Sequence, residues 1–220
     1  MISTAENYEK LTAKLIASEK DITEVFIFPA QTAITYASLF GMGVGRRALA
    51  LSSGFREMVK QCNSICAMPI VRMQLDTALR FYAGFFVEDH QTFCRDIIGG
   101  KQINQIKSDE GILMQDKYLL NRLAERNPWM TDVYKNSSGY IHFSNKHIQE
   151  AIRIGEGGIG QMVIGPNDFD REPMHFLEPM QCMLHLNLII HFALKDWFAR
   201  MCDSDGVKIS AGDLWNVQSS

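Results

Sequence analysis

The chain has 220 residues, of which 46% are hydrophobic, 10% aromatic and 21% charged, with a formal net charge of −3. A chain this long can bury roughly 70% of the surface it exposes when unfolded, so it folds without disulfide or metal staples. The composition excludes a disordered, collagenous or disulfide-scaffold protein, and the acidic balance argues against a strongly basic nucleic-acid wrapper.

The first residues mix acids and lysines and lack the apolar stretch of a secretory signal. Residues 5–20 read as an amphipathic helix, with Tyr8, Leu11, Leu15 and Ile16 at helical spacing. From Val25 to Gly45 no charge occurs, and Arg46 and Arg47 follow. Such a run is long enough to span a bilayer. Pro29, Gln31, Thr32, Thr35, Ser38 and three glycines dilute it. The expectation is therefore a loop around Pro29 and a buried helix from about Gln31 to Phe40, with no membrane attachment. Gly41, Gly43 and Gly45 predict a break before a short helix over 46–53. Their amides, together with Arg46 and Arg47, can hold a phosphate at a helix start; a plain interhelical loop is the alternative.

The longest periodic segment runs from Gly54 to about Val87, where Pro69 predicts a kink or a division into two helices. Cys62 and Cys66 are four apart on it. No second cysteine pair or nearby histidine completes a zinc set, so they read as small core side chains in a reducing, cytoplasmic setting. No metal and no cofactor is expected. Arg72, Asp76 and Arg80 form a polar row at i, i+4 and i+8. Charges on a central helix need partners, so the row reads as an internal ion-pair network or a polar interface face. The sharper reading is an anion-binding wall in which Asp76 fixes both guanidiniums.

A helix over 91–98 ends at Gly99-Gly100 and leads into a polar connection over 101–112. Asp116 is placed to cap a helix reaching Asn127, and Pro128 to open another ending near Ser138. His147–Ile154 and Ile159–Ile164 flank Gly155-Glu156-Gly157-Gly158 and read as a β-hairpin inserted at about 147–165. The GxGxxG pattern at 155–160 leads into strand-like residues, which does not suit dinucleotide phosphates. After a loop over 165–173, residues 174–202 read as a nearly all-round apolar helix. His185 and His191 on it read as core histidines, with Gln181 and Asn187 four residues before each; Arg171 and His175 flank its start. The tail 203–220 is polar, with a strand over 207–209. The expected architecture is one mainly α-helical bundle over 1–220 with a small late β-hairpin, its centre formed by the helices near 55–86 and 174–202.

The strongest local chemistry lies in Tyr134–Ser144. On a continuous helix Lys135, Ser138 and His142 share one face. A histidine can take a proton from a ribose 2′-hydroxyl while a neighbouring cation stabilises the phosphate, and no metal is needed. A histidine satisfied at a helix end is the plain alternative.

The stretches Ile70–Ala83 and Tyr134–His147 resemble a group of uncharacterised bacterial helical proteins, over most of residues 50–150. More distantly, the second stretch is similar to the site of HEPN-type helical domains, whose defence and toxin members are metal-independent ribonucleases, usually dimeric. Their pattern is an Arg, then a polar residue, then a His a short way on. Lys135 stands in the place of the Arg, Asn136 is the polar residue, and His142 follows after six intervening residues. Lys lacks the planar fork with which Arg grips a phosphate. The resemblance implies a homodimer acting on or binding RNA or nucleotides. Lys135, Asn136 and His142 would carry the chemistry, and Arg72, Asp76, Arg80, Ser138 and Tyr140 would serve binding. The other expectation is a non-catalytic interaction or regulatory module, dimeric or bound to a partner protein.

Overall fold

The structure is a computed structural model, and it describes residues 4–27, 34–142, 144–154, 158, 160–168 and 174–201. Among these, eight α-helices carry the fold: α1 (Thr4–Glu24), α2 (Tyr36–Lys60), α3 (Ser64–Tyr82), α4 (His90–Ile98), α5 (Asp116–Ala124), α6 (Trp129–Ile141), α7 (Asn145–Ala151) and α8 (Met174–Met201). The molecule is mainly helical. Two three-residue strands, β1 (Ile152–Ile154) and β2 (Gly160–Met162), pair antiparallel with Ile152 opposite Met162. The expected strand from His147 is displaced by α7, so residues 147–151 are helical. The residues between the two strands lie mostly outside those described, as does the 207–209 strand expected in the tail.

α3 and α8 pack on each other at the centre; α1 and α2 also pack on α8, and α2, α5 and α6 on α3. Leu75, Leu79 and Phe81 of α3 meet a core that includes Leu186, Ile190, Leu194 and Trp197 of α8, all buried. Trp197 can be wholly buried because its indole N–H donates to the carbonyl of Ala37 at 2.9 Å. α8 is not enclosed all round, since Glu178, Gln181, His185, Phe192 and Lys195 are exposed.

The glycines at 41, 43 and 45 do not break the chain. α2 runs through all of them, so their amides are spent inside the helix and offer no phosphate cradle. Close packing explains two of them: a Cβ on Gly41 would sit 2.8 Å from the Phe198 ring, and one on Gly45 would sit 2.2 Å from the Phe26 ring. The helix begins instead at Thr35, which forms a capping box with Ser38.

The long segment divides at 61–63 rather than at Pro69, which lies inside α3. Cys62 takes φ +52°. Its N–H donates to the Val59 carbonyl and that of Asn63 to the Met58 carbonyl, a Schellman ending without the usual glycine. Asn63 then caps α3 by accepting from Cys66 N at 3.0 Å. Cys62 is half-buried and Cys66 exposed, so the two do not share a core face. The loop after β2 clamps this corner. Asp168 accepts from the N–H and hydroxyl of Ser64, and its own N–H donates to the Cys62 carbonyl at 2.7 Å. Its negative charge sits at the N-terminus of α3, where the helix dipole favours it.

Candidate functional site

The Arg72–Asp76–Arg80 row is drawn together by a residue that the sequence presents only as a cap. Asp116 begins α5 and bonds Arg80 Nη2; its other oxygen lies 3.6 Å from Arg72 Nη2 and accepts from the Tyr134 hydroxyl at 3.2 Å. Asp76 pairs with Arg80 at 3.3 Å and, among the described residues, with no other guanidinium. The Arg72 guanidinium carbon lies over the Tyr134 ring, 3.9 Å from its centroid, and its Nη1 is buried without a hydrogen-bond partner among the described residues. Burial raises the Tyr134 hydroxyl above its ordinary pKa, so it stays a donor to Asp116. Two arginines, two carboxylates and one phenol thus answer one another on α3, α5 and α6. The anion-binding wall expected here has its charge largely neutralised from within.

α6 continues through Gly139 to Ile141 and stops there; His142 is extended, with φ −115° and ψ 149°. The face-sharing of Lys135 with His142 required the helix to continue. Both side chains are exposed. Ser138 turns its hydroxyl back onto the Tyr134 carbonyl at 2.6 Å, as serines in helix interiors do.

The opposite side of α6 faces a groove of about 580 Å³ between α3, α6 and α8. Met68 and Val71 of α3 form its floor. Trp129, Asp132, Val133, Asn136, Ser137 and Tyr140 of α6 line one wall; their spacing of three and four residues marks one helical face. From α8 come His175, Glu178, Pro179, Gln181, Cys182 and His185. Of the α6 residues expected in a site, Asn136 and Tyr140 therefore reach the groove, whereas Lys135, Ser138 and His142 do not line it. Arg72, Asp76 and Arg80 do not line it either.

His185 is exposed and its ring lies 5.8 Å from that of Trp129 across the groove, so it is not a core histidine served by Gln181. Asn187 is fully buried but serves Gln74, Ser18 and Ser52 rather than His191. The Cys182 thiol is pushed up to about 11, first by burial and then by the charge of Glu178, so it stays protonated at neutral pH. Among the described residues the groove's lining carries two carboxylates, Asp132 and Glu178, and no lysine or arginine. These two acids and Trp129 drew no attention in the sequence. The signal that finds Trp129 and Asp132 is the mixed polar and apolar periodicity of 129–140; no local signal marks Glu178.

Among the described residues no group of three or more His, Cys, Asp or Glu is arranged to hold a metal ion, and no helix is long and apolar enough to cross a membrane. No protein-family model, curated protein or solved structure matches this chain.

Proposed function

We propose that this chain is a non-catalytic helical module that acts by binding, and that its binding surface is the groove between α3, α6 and α8. The observation that carries the reading is where the positive charge lies. Hydrolysis of RNA by the expected pair relies on Lys135 and His142 meeting at one phosphate. Among the described residues the groove is lined by two carboxylates and no lysine or arginine, and His142 and Lys135 stand outside it. Arg72 and Arg80 are already engaged by Asp116 and Asp76. What the groove does offer is an apolar floor, an indole, a phenol ring and several hydrogen-bonding side chains, which is the usual make-up of a ligand site.

The test is direct. The purified full-length chain and its His142→Ala variant are incubated with mixed-sequence RNA and the products resolved by gel. We expect the RNA to remain intact with both. Cleavage by the parent that disappears in the variant, at an unchanged melting temperature, overturns the binding-module reading in favour of the HEPN-like ribonuclease.

A further inference from the structure

The reading of the groove as a binding surface leaves open what it binds, and the inference here rests on that reading. We propose that the α3–α6–α8 groove is a site for a small organic cation: an ammonium or similar head on an apolar body. Three features point the same way. The cavity, at about 580 Å³, is in the size range of small-molecule sites, and Met68, Val71, Val133 and Pro179 give it apolar walls. Among the described residues its lining holds acidic side chains and no lysine or arginine. Asp132 and Glu178 line it, and neither makes a hydrogen bond or ion pair among the described residues. Glu178 is also near enough to Cys182, another residue of the lining, for its charge to add to the burial that pushes that thiol up. Finally, Trp129 brings an indole ring to the lining, one helical turn from Asp132 on α6. Ring faces attract cations, and trimethylammonium heads are recognised in this way elsewhere.

An anion would meet both carboxylates without a counter-charge. A neutral apolar body would fill the floor but gain nothing from Asp132 or Glu178. A cation beside Trp129 uses the floor, the indole ring and the negative charge of the lining together.

The experiment is an NMR titration of the full chain with three soluble probes of one shape. Choline carries the cation, 3,3-dimethylbutan-1-ol is its neutral carbon isostere, and 3,3-dimethylbutanoate is the anion. We expect choline to perturb Trp129, Val133 and Gln181 and to bind about 10-fold tighter than the alcohol, with the anion weakest. Asp132→Asn and Glu178→Gln should each weaken choline about 3- to 10-fold and leave the alcohol unchanged. If the alcohol binds in the groove as tightly as choline, or if the two variants leave choline unaffected, the cation proposal is wrong while the groove remains a binding surface. If no probe shifts any groove residue, or if a folded Val133→Trp variant binds as the parent does, the groove reading fails with it.

Discussion

Asp116 is the residue on which the polar heart of α3 turns. From sequence it has the place and type of a helix cap, and it does open α5. Its side chain, however, faces Arg72, Arg80 and Tyr134. The side chain of Arg72 is 12% exposed, and its Nη1 has no partner among the described residues, so it depends on the carboxylate of Asp116 and the ring of Tyr134. Removing one member of a buried charge set leaves the others uncompensated. Asp116→Ala should therefore lower stability by about 2–3 kcal/mol. Asp76→Ala should cost about 1 kcal/mol or less, because Arg80 keeps Asp116. Urea denaturation of both variants checks this; equal losses would show that Asp76, not Asp116, organises the row. The reason the sequence hid this is distance. Asp76 is one helical turn from Arg80, whereas Asp116 is 36 residues away from it.

Among the elements, the helix ends were more legible than the breaks. Gly99-Gly100 closes α4, and Gly100 takes φ +92°. The start of α4 is set by Asp89, whose carboxylate accepts from Thr92 N at 2.9 Å. That bond to the backbone N–H holds the Asp89 carboxyl below its ordinary pKa, with the Thr92 hydroxyl adding to it. A depressed carboxyl contributes stability above its unfolded pKa, and the contribution fades as pH falls through the folded value. Asp89→Ala should thus cost about 1 kcal/mol at neutral pH, and its deficit relative to the parent should shrink along an acid series. A deficit that is constant with pH would mean that the charged cap is not its source. Breaks misled for a definite reason. A glycine run predicts a break only if nothing else needs the missing Cβ, and in α2 the rings of Phe198 and Phe26 fill that space. The real break uses Cys62 at positive φ, a conformation that residue type does not advertise.

The whole molecule is held in register by a chain of buried amides and hydroxyls. Asn187 of α8 donates to Ser18 of α1 and Ser52 of α2, at 2.9 and 2.8 Å, and accepts from Gln74 of α3 at 2.7 Å. Ser52 passes the chain to Glu19, which Arg56 grips at 2.8 Å through both of its carboxylate oxygens. Four helices thus meet at one amide that is entirely buried. Asn187→Leu would strand the partners of that amide, and each unsatisfied buried group costs about 1–3 kcal/mol. The expected loss is about 3 kcal/mol in urea, with a broader transition and weaker near-ultraviolet circular dichroism. A loss below about 1 kcal/mol would show that apolar packing alone sets the register. The expected central segment 55–86 divides between α2 and α3, and both of these pack on α8.

The sequence by itself determined the class of this protein: a mainly helical chain. Apolar periodicity is a local property, and burying it requires helices to pack. The tertiary structure alone decided where a site can be. Whether Lys135 and His142 share a face depended on α6 ending at Ile141. Whether the α3 arginines are available depended on a carboxylate from another helix. The groove exists because α6 and α8, distant in sequence, both lean on α3 and leave space between their facing rows. Such relations join residues far apart along the chain, and no window of sequence contains them.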